Sequence, residues 1–242
     1  MKPTKRKLLN EINLDLRQFF NHANKSSSED IDFSEYDQVI IPTAGGSSIM
    51  GFLYSNNGNP VAIPEPDPTI LYLINAEREI SSILENKERL NRAFLADKSA
   101  KTANIFFDFF QHSTNFIVNL YTSIEAFHNS SIPDQFIYEK RNESLDKMKI
   151  QFGVNFKDKC NKLLPLIYRK SFTVDFNTDY LELLKLKRLR DSMVHTKNVS
   201  NTSESISYRA IFRDSLDFDY ENTLLIVKKY FNYYKKDYVD NC

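Results

Sequence analysis

The chain has 242 residues, of which 41% are hydrophobic, and its 32 Lys and Arg are balanced by 32 Asp and Glu. That length fits one large domain or a main domain with an appendage, and the cancelled charge excludes a global basic field of the kind that marks many nucleic-acid binders. The N-terminal Lys2, Lys5, Arg6 and Lys7 are not followed by a continuous apolar segment, and no stretch approaches the roughly 20 apolar residues of a membrane span. Cys160 and Cys242 are too few and too distant for a zinc framework. The expectation is a cytoplasmic protein with no membrane partner.

Residues 7–22 place Leu8, Leu9, Ile12, Leu16, Phe19 and Phe20 at helical spacing, and the polar run Asn24–Asp30 ends that pattern. Four of the five glycines then fall between Gly45 and Gly58, among Val39–Ile41, Ile49, Phe52–Tyr54 and Val61–Ile63. This is a strand-and-hairpin pattern, with Asn56-Asn57-Gly58-Asn59 as its turn. Ala44–Ser48 lacks the Gly-Lys-Ser/Thr of a phosphate loop, so a hairpin turn is the simpler reading than an anion nest. Pro64, Pro66 and Pro68 form a stiff linker, because each ring fixes φ and disfavours helix before it.

From Thr69 the chain becomes helical and almost free of glycine. Long helices are predicted over 69–96 and 99–130. A third occupies part of 138–168 and bends or ends near Pro165. A leucine-rich helix follows over 178–195. Ser205–Phe212 alternates as a short strand would, and a final amphipathic helix covers 218–236. The fold class is therefore mainly α, an up-and-down helical bundle over 69–242 with a small hairpin-containing region over 1–68.

The chemistry concentrates in Arg190-Asp191-Ser192-Met193-Val194-His195. It joins a cation suited to phosphate with a side chain that exchanges protons near neutrality. With about 100° per residue, Arg190 lies about 40° from Leu186, inside the apolar stripe, whereas His195 lies about 180° away. The two meet at one phosphate only if the helix ends or distorts near His195, or if a second copy of the chain supplies the complement. An Arg in an apolar stripe needs a carboxylate or an anionic ligand, unless its stem packs while its head reaches water. Glu125, bordering the apolar face of the second long helix, is the candidate partner.

Arg-Asp-Ser-Met-Val-His resembles the signature of HEPN-domain proteins: Arg, a polar residue, a spacer, then His. Asn115–Phe127, with its Ser-Ile-Glu-Ala-Phe ending, is similar to a core helix of the larger bacterial members. The resemblance covers roughly 99–236. Arg17 and His22 also fit the bare spacing, but Gln18 stands where the family prefers Asn, Asp or His. Arg188, with six residues between it and His195, is followed by apolar Leu189.

The resemblance implies a metal-independent endoribonuclease without a cofactor. His195 would handle protons at the 2′-hydroxyl or the leaving oxygen, Arg190 would hold the scissile phosphate, and Asp191 would support them. Glu125 and Ser123 would join from the facing helix, although such a Glu is more often a structural counter-ion. The products would carry 2′,3′-cyclic phosphate and 5′-hydroxyl ends. Partners implied are RNA, a second copy forming a composite active site, and an antitoxin or defence partner, in keeping with a toxin or phage-defence effector. The alternative is a non-catalytic HEPN module that binds RNA or a protein.

Elsewhere the signals are bland. His112 and His128 sit on or beside an apolar helix face and are expected in the core or an interface. Without HExxH or Cys-x-x-Cys, no metal site is expected. Tyr230–Lys236 could stack bases, but at helical spacing it is more often packing surface.

Overall fold

The computed structural model describes residues 39–42, 48–57, 59–96, 100–140, 143–195 and 206–239. The helix expected over 7–22, with Arg17 and His22, lies outside them, as do residues 43–47 of the glycine-rich segment. The chain divides into two compact units, Met1–Asp67 and Pro68–Cys242, at the proline-rich linker.

In the first unit, strands β1 (Val39–Pro42), β2 (Ser48–Asn56) and β3 (Asn59–Pro64) form an antiparallel sheet with β2 in the centre. Asn56 pairs with Asn59, so positions 57 and 58 make the connection, and Asn57 takes the positive φ of 52° that such a tight turn demands. Gly51 sits where the three strands crowd. A Cβ there would stand 2.6 Å from the Ile63 carbonyl oxygen and 2.5 Å from Ile41 Cδ1, so only glycine fits without a shift.

The second unit is helical. Helices α1 (Pro68–Ala96) and α2 (Ala100–Ser131) pack along each other, and at 1.5 Å per residue α2 is about 48 Å long. Pro68 opens α1, where a missing N–H costs nothing. Phe109, Phe116, Ile117, Leu120, Ile124 and Phe127 share one face of α2 and are fully buried. They meet Leu183, Leu186 and Leu189 of α6 (Asn177–Val194) and Leu224, Val227, Tyr230 and Phe231 of α8 (Tyr220–Tyr234) in one core. Tyr230, Phe231 and Tyr234 are buried there, so the C-terminal aromatic run is packing surface. Among the described residues no helix is long and apolar enough to cross a membrane.

The helix expected in part of 138–168 begins only after a hairpin that the sequence did not announce: β4 (Tyr138–Lys140) and β5 (Glu143–Leu145) pair antiparallel, with Tyr138 opposite Leu145. Both side chains are buried in a smaller core with Ile132, Ile150, Val154 and Leu163, and that shared burial outweighs the helix preference of the charged residues between them. Helix α3 (Lys147–Gly153) then starts at Asp146, which caps the Lys149 N–H at 2.9 Å. Helix α4 spans 156–168 and is wound as π over Lys159–Leu163, directly before Pro165, whose missing N–H cannot sustain the regular ladder. It ends at Arg169, with φ 56°, beyond Pro165 itself. After the short helix α5 (Phe172–Asp175) comes α6.

One expectation is corrected, that of a strand over Ser205–Phe212. Helix α7 (Ile206–Asp217) replaces the expected strand. Its alternation is incidental, because Ile211 and Ser215, four apart, form the buried helical face, and Phe212 packs edge-on against Phe106 and Phe110 of α2.

Candidate functional site

Three segments enclose a cleft of about 580 Å³ that opens to solvent at the C-terminal end of α6. Helix α2 contributes Tyr121 and Glu125, four residues apart and so on one face. Helix α6 contributes Lys187, Arg190, Asp191 and Ser192, with His195 at its end. The start of α4 closes the third side with Asn155 and Phe156, held by the Asn155 side chain accepting from the Asp158 N–H at 2.9 Å.

Arg190 is the centre of this wall. Its Nη2 donates to Glu125 Oε1 at 3.0 Å and its Nη1 to Asp191 Oδ1 at 3.0 Å. The guanidinium lies over the Tyr121 ring, with Cζ 4.0 Å from the centroid. Its side chain is 18% exposed, so the position inside the apolar stripe is resolved by pairing rather than by reaching to water. Lys187 ion-pairs with the other oxygen of Asp191, one helical turn along. The result is a ladder, Lys187–Asp191–Arg190–Glu125, in which two cations alternate with two carboxylates. Glu125 is the open end of that ladder, 45% exposed, and its Oε2 accepts no hydrogen bond among the described residues.

Tyr121 is the platform. Its ring stacks at a tilt on Phe156, with centroids 5.5 Å apart, and the residue is 2% exposed. Burial pushes its phenol well above the ordinary tyrosine range, the Glu125 charge adds to this and Arg190 opposes it, so the hydroxyl stays neutral.

His195 is the residue at which α6 stops. Its N–H still donates to the Asp191 carbonyl at 3.0 Å, but its backbone has left the helix, at φ −105° and ψ 53°. His195 follows Lys187 and Asp191 at four-residue steps along the side of α6 that lines the cleft, so His195 and Arg190 both reach it from one chain. His195 is exposed, and its ring makes no hydrogen bond among the described residues.

Ser123 does not join. Two residues before Glu125, it points about 200° around α2, where it is fully buried and donates to the Leu120 carbonyl at 2.6 Å. His112 also lies away from the cleft, with its Nδ1 2.6 Å from Glu79 Oε2 of α1. His128 is a core residue, 2.8 Å from the Tyr230 hydroxyl. Tyr121, Lys187, Asn155 and Phe156 were not anticipated as site residues from sequence. Lys187 carried a signal, since it stands four residues before Asp191 on the same helix; Asn155 and Phe156 carried none. Among the described residues no group of three or more His, Cys, Asp or Glu is placed to hold a metal ion.

No family model, curated protein or solved structure matches the chain. What defines the protein is thus its own architecture: a mainly helical unit with a charged cleft at the end of α6, preceded by a small antiparallel sheet.

Proposed function

We propose that this chain is a metal-independent endoribonuclease of the HEPN type, cleaving RNA by attack of the 2′-hydroxyl on the adjacent phosphate. The single observation that carries the reading is the convergence of Arg190 and His195 on one open cleft. A guanidinium presents a planar set of donors suited to two phosphate oxygens, and an exposed imidazole can exchange protons with sugar oxygens. Lys187 adds a second cation within the same wall. Asp191 holds both cations, which is a supporting rather than a reacting role. The toxin or phage-defence role, the cytoplasmic setting, the antitoxin or defence partner and the homodimer follow from the resemblance of the Arg190–His195 segment.

One observation favours the second reading, a non-catalytic module that binds RNA or a protein. The charge of Arg190 is already matched by Glu125 and Asp191, as a purely structural arginine would be.

RNA cleavage in excess EDTA separates the two. The ribonuclease cleaves as wild type, leaves cyclic-phosphate ends, and loses activity with His195→Ala and with Arg190→Ala. A folded wild type that leaves RNA intact sinks the enzymatic reading, and equal cleavage by all three proteins places the activity elsewhere.

A further inference from the structure

Transesterification at a phosphodiester needs two proton carriers, one to take the 2′-hydroxyl proton and one to supply the leaving 5′-oxygen. His195 is a single carrier, and the other histidines of the described residues lie outside the cleft. Asp191 is occupied on both oxygens, one by Lys187 and one by Arg190. The Tyr121 phenol is held neutral by burial. That leaves Glu125, whose Oε1 is fixed by Arg190 and whose Oε2 is unpartnered in a half-exposed position on the cleft wall.

Resting on the ribonuclease reading, we infer that Glu125 is the general base of the reaction and His195 the general acid, both supplied by one chain. Glu125 takes the proton of the 2′-hydroxyl as the 2′-oxygen forms its bond to phosphorus. The bond from phosphorus to the 5′-oxygen breaks, and the protonated His195 ring gives that oxygen its proton. The chain is left with a protonated Glu125 and a neutral His195, and exchange of one proton through solvent restores both.

The ladder gives this assignment a consequence that a base without a partner would lack. In the resting cleft the carboxylates of Glu125 and Asp191 match the charges of Arg190 and Lys187. Once Glu125 accepts the proton, the ladder carries one net positive charge as a second negative charge develops on the phosphorane. Stabilisation therefore appears in the transition state and not in the ground state, where it would only tighten binding. The charged groups facing Glu125 are Arg190, Asp191 and Lys187 of α6 and Lys159 of α4, with the Tyr121 phenol on its own helix.

The test compares wild type, Glu125→Gln, Glu125→Asp and His195→Ala on RNA, on a 2′-O-methyl oligonucleotide that cannot react, and on a uridine 3′-phosphodiester with a nitrophenolate leaving group. Gln still accepts from Arg190 but cannot take a proton. Glu125→Gln is expected to lose at least about 100-fold in kcat while binding the 2′-O-methyl strand more tightly, since a carboxylate has left the cleft. Glu125→Asp, shorter but still basic, keeps part of the activity. Nitrophenolate departs without a proton, so this substrate restores turnover to His195→Ala but not to Glu125→Gln. Near-wild-type turnover by Glu125→Gln overturns the inference and leaves the ribonuclease reading standing. Rescue of Glu125→Gln in place of His195→Ala reverses the two roles and overturns it as well. A wild type that cleaves no RNA overturns both.

Discussion

Arg190 lies over the Tyr121 ring, its Cζ 4.0 Å from the centroid, and this contact ties the central cation of the cleft to an aromatic support. Tyr121 is itself wedged against Phe156, so one aromatic ring joins α2, α4 and α6. A guanidinium needs such support, because its planar fork is useful only when its orientation is fixed.

Replacing that ring should therefore separate shape from hydroxyl. Tyr121→Phe keeps the stack and is expected within about 0.5 kcal/mol of wild-type stability. Tyr121→Leu loses the cation–ring contact and part of the packing, at about 1–2 kcal/mol. Urea unfolding of the two variants measures the difference, and equal stabilities would remove the stack from the argument. In the same assay a double-mutant cycle over Glu125 and Arg190 should give a coupling of about 1 kcal/mol, because solvent at half-exposed Glu125 screens the pair.

His195 should behave in the opposite way. It is exposed, and its ring holds no hydrogen bond among the described residues, so His195→Ala should stay within about 0.5 kcal/mol of wild type. RNA cleavage should nevertheless be lost. A variant that unfolds easily would instead place the ring in a structural role, and thermal melts run beside the cleavage assay distinguish the two.

The long elements were legible because their patterns admit one interpretation. Helix α2 repeats apolar residues at three- and four-residue steps from Phe116 to Phe127, and its observed ends, Ala100 and Ser131, fall one residue from those expected. Ser205–Phe212 was not legible in this way. Its alternating residues fit a strand, and only the partners Phe106 and Phe110, about a hundred positions away, select the helix. The β4–β5 hairpin was hidden for the same reason, since Tyr138 and Leu145 show their common burial only once they face each other. At the site, the ion pair of Arg190 with Glu125 followed from the cost of an unpaired charge in an apolar stripe. Asn155 and Phe156 reach the cleft through the path of the chain, which no local pattern records.

Cys160 should be inert in the folded protein. It is fully buried on α4, with Sγ 3.5 Å from the Tyr230 hydroxyl, and burial pushes its thiol up to about 12. The thiolate is the reactive form, and access is closed as well. In a Cys242→Ser background, a disulfide reagent at pH near 8 should label Cys160 only as fast as the core opens, and completely in urea. Rapid labelling of the native protein would show that the α2–α4–α8 junction is open.

Acid should weaken the fold through His128. The ring is fully buried beside Phe156 and Tyr230, with Nε2 2.8 Å from the Tyr230 hydroxyl, and its Nδ1 has no partner among the described residues. Burial lowers its pKa from the ordinary 6.5 to about 3, and the nearby charge of Lys159 acts in the same direction. The folded chain therefore keeps this ring neutral while the unfolded chain takes up a proton below pH 6.5. In that window the unfolded state binds more protons, so stability rises with pH. The contribution is complete above pH 6.5 and is lost as pH falls toward 3, with a slope approaching about 1.4 kcal/mol per pH unit. Carboxylates such as Asp158, held down by hydrogen bonding to Lys162, add a loss of their own that a His128 variant retains. His128→Gln does not titrate and keeps a polar group facing Tyr230. It should be less stable at neutral pH, by about 1–3 kcal/mol, yet lose less on acidification. Urea unfolding of both proteins between pH 7 and pH 4 decides the point: converging curves support the buried neutral ring, and parallel curves reject it.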